Sequence, residues 1–281
     1  MKKVCVIANA GKEAAVETAE KVRAFFCDRG VVCSVLLEDF AETPAYEPEL
    51  SEDIECAVVL GGDGTLIRVA GLLAERKIPV LGINLGTLGF LTGAEASDTE
   101  EVLTALLAGT YKVEERMMLE ASVEGKEFGT ALNDVVLTRN GFSRIISVGI
   151  FVNGKPVCNY RGDGVIVATP TGSTGYNLSA GGPVVAPGTE LFLITPICPH
   201  ALSARSILLS AEDELHIVIR EEKKTQDEEA ILTLDGQRAK DLAAEDTIVI
   251  RKSGKKAYFI QLNDNSFFDA LHRKLGNQEI L

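Results

Sequence analysis

The chain has 281 residues and a net charge of −13, and 46% of its residues are apolar. This length and apolar content predict one large or two smaller domains with a proper core, which excludes a disordered chain. The negative charge and the absence of Trp argue against nucleic acid as a partner, because a nucleic-acid polymer needs a basic groove and aromatic stacking platforms. An anionic ligand would have to be bound by single cations placed in its site.

The N-terminal segment indicates a cytoplasmic protein. MKKVCVIANAGKE turns polar too early for a signal peptide, and no apolar run reaches the ~18 residues of a membrane span. The six cysteines include no C-x-x-C pair, and most lie beside Val, Ile or Ala. We therefore expect no membrane contact and no disulfides, with the cysteines as small buried hydrophobes.

The first part of the chain alternates strand-like and helix-like patterns. Apolar runs without polar alternation, typical of strands buried on both faces of a parallel sheet, occupy residues 4–8, 31–37, 56–60 and 78–83. Apolar residues at helical spacing occupy 15–26, which Gly30 would end, and also 66–73 and 102–107. This alternation predicts a Rossmann-like α/β domain over residues 1–110.

The pattern changes near residue 111. Short segments rich in Val and Ile predict a β-rich, sandwich-like domain over residues 111–261. Hairpin signals lie at Glu124-Gly125-Lys126, Asn140-Gly141, Asn153-Gly154 and Ser253-Gly254-Lys255. Segment 262–281 returns to a helical pattern, with Ser266 as the cap and Gly276 as the stop, and is expected to join the first domain.

The segment Leu60-Gly61-Gly62-Asp63-Gly64-Thr65 follows a predicted strand and precedes a predicted helix. A glycine-rich turn at this place lets a ligand approach the backbone, and the start of the helix offers free N–H groups to phosphate. A carboxylate beside such amides can bind a metal, hold ribose hydroxyls or remove a proton. The alternative is a plain tight turn in which Asp63 caps the helix.

A second glycine-rich segment runs from Arg161 through Asp163 and a short strand to Thr169–Ser179. Its hydroxyl groups and bare glycine amides suit ribose and phosphate, and Tyr176 offers a face for a base. A polar loop between strands explains the composition equally well. Asn133-Asp134 likewise either holds ribose or base edges or forms a turn or bulge at a strand end.

Two common nucleotide motifs are missing. The sequence contains neither G-x-x-x-x-G-K-[ST] nor G-x-G-x-x-G, which disfavours P-loop enzymes and the usual dinucleotide fingerprint. The three histidines have no partners at metal-ligand spacing, which makes a hydrolytic metalloenzyme a poor interpretation.

Taken in order, GGDGT, LNDVV, RGDGVIVATPTGSTGYNLSAGGP, TPICPHALSARSI and LTLDGQ resemble the NAD kinase family, from about Val58 to Leu275. The resemblance implies transfer of the γ-phosphate of ATP to the 2′-hydroxyl of the adenosine ribose of NAD, which gives NADP and ADP. It also implies a divalent cation such as Mg²⁺ or Mn²⁺. The implied fold is an α/β domain followed by a β-rich domain, in a homodimer or homotetramer.

Carried over position by position, the resemblance makes Asp63 the proton acceptor for the ribose hydroxyl and Gly64 part of the same contact. Asn133 and Asp134 would bind the adenosine part, and Gln237 would close the site. The remaining implied contacts are Arg68, Arg144, Arg161, Asp163, Thr174, Gly175, Tyr176, Asn177, Leu178 and Ser179. Such a set suits phosphoryl transfer, which depends on positioning and charge neutralisation more than on covalent chemistry.

Two other functions compete with this interpretation. A non-catalytic nucleotide sensor could keep the pocket, although the presence of Asp63 argues against it. A lipid kinase could share GGDG, but it would have no evident use for Asn133-Asp134 or for Thr174–Ser179, and the sequence shows no basic amphipathic helix for a membrane surface.

Overall fold

The computed structural model describes residues 1–39, 50–51, 53–86, 89–141, 145–201, 203–220, 230–262 and 267–276. The chain divides into two compact units. The first unit comprises Met1–Glu115 and Ala257–Leu281, and the second comprises Arg116–Lys256. Arg144, one of the implied dinucleotide contacts, lies outside the described residues, as does Ser266, the predicted helix cap.

The helices and strands of the described residues have the following bounds. The helices are α1 (Glu13–Cys27), α2 (Asp63–Leu73), α3 (Thr99–Ala108), α4 (Tyr176–Ser179) and α5 (Phe267–Leu275). The strands are β1 (Lys3–Asn9), β2 (Val32–Glu38), β3 (Cys56–Gly61), β4 (Val80–Asn84), β5 (Ala94–Glu95), β6 (Lys112–Val123), β7 (Lys126–Ala131), β8 (Asp134–Arg139), β9 (Ile146–Val152), β10 (Lys155–Gly162), β11 (Gly164–Ala168), β12 (Leu191–Ile197), β13 (Ile207–Ser210), β14 (Leu215–Arg220), β15 (Ala230–Leu234), β16 (Arg238–Leu242) and β17 (Thr247–Gln261). Short 3-10 turns occupy Ala96–Asp98 and Thr171–Thr174.

The first unit contains the predicted parallel sheet. Its strands lie in the order β2-β1-β3-β4, with parallel neighbours throughout. β5 and the last part of β17 also pair parallel with β4. β3 and β4 are buried along their whole length, as their unbroken apolar sequence predicts for inner strands. The prediction of an α/β unit is confirmed.

Helix α1 buries one apolar stripe. In α1 the fully buried residues are Ala15, Ala19, Val22 and Phe26, spaced by three or four positions. The helix ends at Cys27, earlier than predicted, while Gly30 adopts a left-handed φ of +75°. That conformation favours glycine and turns the chain toward β2.

The second unit is β-rich, with one core between two sets of antiparallel strands. One sheet has the order β13-β12-β11-β8-β15-β16. In the other set β14 pairs with both β9 and β17, β9 pairs with β10, and β6 pairs with β7. Apolar side chains from both sets, such as Leu137 and Ile217, share a single buried cluster. This is the predicted sandwich-like arrangement.

Two of the four hairpin predictions are confirmed. Glu124-Gly125 and Asn153-Gly154 have positive φ at both residues, as a two-residue hairpin turn requires, and they connect β6 to β7 and β9 to β10. The prediction for Asn140-Gly141 is wrong, because the preceding β8 and the following β9 pair with different strands. Ser253-Gly254-Lys255 is also no turn and lies inside the continuous strand β17.

Two smaller expectations have mixed outcomes. The terminal helix α5 is confirmed, although the side chain of Phe268 on it is 55% exposed. All six cysteines are free thiols, and Cys5 and Cys56 are buried as expected. Cys27 and Cys198 are exposed, because Cys27 is the last residue of α1 and Cys198 directly follows β12.

Candidate active site

The glycine-rich turn of the first unit places Asp63 at the carboxyl end of β3 and the start of α2. Gly62 occupies the N-cap position, and no side chain caps the helix. Asp63 is therefore not the helix cap that the plain structural interpretation required. A carboxylate in the first turn of a helix interacts favourably with the helix dipole.

The Asp63 carboxylate accepts hydrogen bonds from the loop that follows β4. The amide of Phe90 donates to Oδ2 at 2.7 Å, and the amide of Leu91 donates to Oδ1 at 3.3 Å. Gly89 lies so close that a Cβ atom there would be 1.7 Å from Oδ1 of Asp63. The two hydrogen bonds thus hold the carboxylate in one position beside the loop.

The backbone around Asp63 is open on one side. Cβ atoms placed on Gly62 or Gly64 would meet nothing within 4 Å, so a ligand can approach this backbone. Arg68, one turn further along α2, is 8% exposed, and burial lowers the pKa of its guanidinium, against a smaller opposing effect of Glu38. The turn therefore combines accessible amides, a fixed carboxylate and a largely buried arginine.

In the second unit, Asn133 and Asp134 lie where the chain enters β8. Both side chains face the backbone of Gly175, since a Cβ atom on Gly175 would be 3.5 Å from Asn133 Nδ2 and 4.0 Å from Asp134 Oδ2. Asn133 Oδ1 is buried and has no hydrogen-bond partner among the described residues. A buried orphan acceptor is costly unless a ligand or water donates to it. The structure thus brings together three of the implied contact residues.

Asp134 is buried beside a second carboxylate, that of Asp235. Burial first, and the negative charge of Asp235 second, raise the pKa of Asp134 to about 7. Burial also raises the pKa of Asp235, although three backbone N–H groups donate to its carboxylate and oppose the shift. Those amides stabilise the charged form of Asp235, which is the charge that opposes ionisation of the neighbouring Asp134.

The segment after β11 packs tightly on Asn133. The amide of Thr169 donates to the carbonyl of Asn133 at 2.8 Å, and its hydroxyl donates to the carbonyl of Leu132 at 2.6 Å. A Cβ atom on Gly172 would lie 2.1 Å from the Asn133 carbonyl oxygen. Only glycine permits this approach, so the glycine at position 172 has a structural cause that is independent of ligand binding.

The residues of Thr174–Ser179 differ in accessibility. Tyr176 is 45% exposed, and burial raises the pKa of its phenol, with smaller effects from Cys198, Asp163 and Asp134. Asn177 is fully buried, and its amide group donates to the carbonyls of Ser173 and Pro183 while accepting from the Thr195 hydroxyl. Its side chain therefore holds the segment together. Thr174, Gly175 and Leu178 are partly buried, and Ser179 is exposed.

The remaining implied contacts lie elsewhere in the second unit. Asp163 accepts a 2.8 Å hydrogen bond from Nε of Arg139. Gln237 follows β15 in a turn, where its amide donates to the Leu234 carbonyl. Arg161 is exposed and contributes to an open polar cavity of about 580 Å³, lined also by Ser147, Asn159, His200, Ala201 and Arg220.

Sequence reasoning missed one supporting contact in each unit. The loop Gly89–Leu91 holds Asp63, and its signal was the run of closely spaced glycines after β4. Asp235 holds the Asn133 turn, and its signal was the Asp-Gly pair in LTLDGQ. Neither signal shows which residues are contacted, because those residues lie far away along the chain.

The described part of the chain lacks a metal-ligand cluster and a membrane-spanning helix. No group of three or more His, Cys, Asp or Glu side chains there is placed to hold a metal ion. No helix in the same residues is long and apolar enough to cross a membrane.

An α/β unit with a glycine-rich turn at a strand end, followed by a β-rich unit, is typical of a nucleotide-binding enzyme. The profile of the ATP-NAD kinase N-terminal domain matches residues 4–111, and that of the ATP-NAD kinase C-terminal domain matches residues 132–262. An NAD kinase of Lachnoclostridium phytofermentans is 47% identical over 99% of this chain and 100% of the relative. An NAD kinase of Agathobacter rectalis is 40% identical over 99% of both chains. The chain belongs to the ATP-NAD kinase family and is a kinase.

Solved structures agree with this assignment. An NAD kinase from Archaeoglobus fulgidus in complex with ATP is 29% identical, with a TM-score of 0.78, over 98% of this chain and 100% of that one. The yeast NADH kinase complexed with NADH has a TM-score of 0.84 and 24% identity, over 100% of this chain and 89% of that one. At this level of identity, the yeast structure supports the assignment of the fold only.

Proposed function

We propose that the chain transfers the γ-phosphate of ATP to the 2′-hydroxyl of the adenosine ribose of NAD, which yields NADP and ADP, with Asp63 as proton acceptor. The family supports the overall reaction, and it is the geometry of Asp63 that carries the proposed role. A carboxylate fixed by two amides at the start of a helix, beside open glycine backbone, suits a general base.

In the proposed step, the ribose hydroxyl gives its proton to the Asp63 carboxylate while its oxygen bonds to the γ-phosphorus of ATP. The bond from that phosphorus to the bridging oxygen breaks, and ADP leaves with the electron pair. The free N–H groups at the start of α2 offer hydrogen bonds to phosphate oxygens. Since phosphoryl transfer depends mainly on alignment, a small displacement of Asp63 should reduce the rate strongly.

Asn133 and Asp134 are proposed to hold the adenosine part of NAD. The orphan Oδ1 of Asn133 needs a donor, which an amino or hydroxyl group of the ligand can supply. Gly64, Arg68, Arg161, Asp163, Tyr176 and Gln237 remain proposed contacts, as do Thr174, Gly175, Leu178, Ser179 and the backbone of Asn177. Arg144 stays a proposed contact from sequence alone.

A divalent cation, Mg²⁺ or Mn²⁺, belongs to the proposal. Because the described residues offer no cluster that could hold it by themselves, they fit an ion carried mainly by the phosphates of ATP, which is the usual arrangement for Mg²⁺. When bound, such an ion neutralises charge on the phosphates.

We also propose that the protein forms a homodimer or homotetramer, which light scattering would test. Its proposed location is the cytoplasm, which cell fractionation would test.

The test is an NADP-formation assay with purified protein that crosses NAD and NADH with ATP and polyphosphate in the presence of Mg²⁺. The proposal predicts NADP from NAD and ATP. No turnover with any pair, despite dinucleotide binding, would favour a nucleotide sensor, and a product formed only from diacylglycerol would favour a lipid kinase.

A further inference from the structure

The carboxylate of Asp235 has an unusual set of partners. It accepts hydrogen bonds from three consecutive backbone amides, those of Leu132 at 2.8 Å, Asn133 at 2.7 Å and Asp134 at 3.1 Å. The amide of Asp235 in turn donates to the Asp134 carbonyl at 3.0 Å. The bonds join positions about a hundred residues apart in sequence, so they fix the turn before β8 to the end of β15.

The backbone at Asp235 is shaped for this contact. Its φ is +51°, a left-handed conformation that is uncommon outside glycine. Aspartate is among the few other residues that tolerate it. A residue held in such a conformation, with its carboxylate directed at three amides, indicates a specific positional requirement.

We propose that Asp235 is a positioning residue for the dinucleotide, because it fixes the 132–134 backbone so that the Asn133 and Asp134 side chains face the ligand. The inference rests on the proposed function. Asp235 is not proposed to touch the substrate, and its effect passes through its two neighbours in space.

The other contacts of the 132–134 turn hold its carbonyl groups, so its amide groups depend on Asp235. Thr169 binds the carbonyls of Leu132 and Asn133, and the close approach of Gly172 fixes the Asn133 backbone on one side. The amides of the same residues have the Asp235 carboxylate as their acceptor. If that acceptor is lost, buried N–H groups lose their partner, and the turn must move to find water or another acceptor.

An asparagine at this position cannot substitute for the carboxylate. Its carboxamide has one acceptor oxygen, and its NH₂ group would face an amide that is also a donor. The substitution also removes a negative charge next to Asp134. Among the described groups, Asp235 and the Tyr176 phenol are the titratable neighbours that interact with Asp134. Loss of the Asp235 charge should therefore lower the pKa of Asp134 and give a signature that a purely structural role would lack.

The experiment compares Asp235→Asn with Asp246→Asn in NADP-formation kinetics over a range of pH. Asp246 is the matched control, because its carboxylate also accepts a backbone amide in a turn, that of Ala243 at 2.9 Å. We expect Asp235→Asn to raise the KM for NAD by about tenfold or more, the size typical of losing buried hydrogen bonds. The KM for ATP should change little, and any pH midpoint in the KM for NAD should move to lower pH.

Asp235→Glu separates charge from position. It keeps the negative charge but cannot place both oxygens on the same amides, so the KM for NAD should rise while the pH midpoint stays near that of the wild type. Should Asp235→Asn fail to fold, Asp235→Glu and Thr169→Val test the same turn. An unchanged KM for NAD in the folded variants, or equal losses for NAD and ATP, would overturn the inference. If the wild type itself forms no NADP, the proposed function fails instead.

Discussion

Two aspartates, one in each unit, face glycine backbone, but their surroundings differ. Asp63 begins a helix, is partly exposed and accepts hydrogen bonds from two amides. Asp134 is buried next to the Asp235 carboxylate, which accepts from the Asp134 amide. The first arrangement holds a carboxylate beside open glycine backbone, while in the second, burial and the charge of Asp235 raise the pKa of Asp134. The contrast matches the proposed division between a chemical role for Asp63 and a binding role for Asp134.

The largest effect should follow from removing the Asp63 carboxylate. Asp63→Asn is expected to lower kcat for NADP formation by at least about 10²-fold, the usual contribution of a general base, while NAD binding survives. Steady-state kinetics and calorimetric titration with NAD measure the two effects. Asp98→Asn, at an exposed N-cap of α3, is the control and should be neutral. Near-normal turnover in Asp63→Asn would remove the proton-acceptor role.

A smaller loss should follow when the Asp63 loop is displaced instead. In Gly89→Ala the new methyl group would lie 1.7 Å from Asp63 Oδ1, so the carboxylate or the loop must move. We expect kcat to fall by roughly 10- to 100-fold, because misplacement of a catalytic group by about 1 Å has effects of this order. Gly86→Ala, where a Cβ atom meets nothing within 4 Å, should behave like the wild type. Equal kcat values for the two variants would show that the loop does not position Asp63.

The matching change in the second unit should act on binding. In Gly172→Ala the Cβ atom would lie 2.1 Å from the Asn133 carbonyl oxygen, and backbone must shift. The KM for NAD should rise about tenfold, and the free energy of unfolding should fall by about 1–3 kcal/mol, as is typical of overpacking. Kinetics and urea unfolding measure these changes, with Gly188→Ala as the unobstructed control. A fall in kcat without a change in the KM for NAD would contradict the binding role proposed for this region.

The smallest effect concerns stability. The pKa of Asp134 is raised to about 7 in the folded protein, well above its usual 3.8, so its stabilising contribution at low pH is lost as the pH rises from about 4 to 7. Asp134→Asn should therefore become more stable relative to the wild type over that range and keep a constant difference above it. The difference should be at most a few kcal/mol, since one pKa unit corresponds to about 1.4 kcal/mol.

Urea unfolding at pH 5, 6, 7 and 8 measures this pH dependence. The exposed Asp241→Asn serves as control and should show a smaller change across the series. A stability difference between Asp134→Asn and the wild type that is independent of pH would show that the carboxyl group of Asp134 has its usual affinity for protons in the folded state.

Local patterns predicted the fold because they report on local physics. The unbroken apolar runs of β3 and β4 identified inner strands, and Asn153-Gly154 identified a hairpin turn. Ser253-Gly254-Lys255 misled because the same residue types are tolerated within a long strand, where the Ser253 hydroxyl accepts the Lys255 amide. Burial of the flanking residues, rather than turn composition, decided the structure there.

The site residues were predictable only in part, because sequence patterns report mainly on interactions between residues that are close together in the chain. The position of Asp63 after a buried strand is a local signal, and the resemblance to the family supplied the other contacts. The Phe90 amide bound to Asp63 and the three amides bound to Asp235 depend on contacts between distant parts of the sequence. Asn177 shows the reverse case, because a residue from the most specific motif has its side chain wholly occupied by protein partners.

The most direct test of the account is identification of the product formed from equal amounts of NAD and ATP, by ³¹P NMR, with the wild type and Asp63→Asn measured side by side. The account predicts a new phosphomonoester on the 2′ position of the adenosine ribose with the wild type, ADP in equal amount, and no such signal with Asp63→Asn at matched protein and time. A phosphate on any other hydroxyl, or equal product from both proteins, would contradict it.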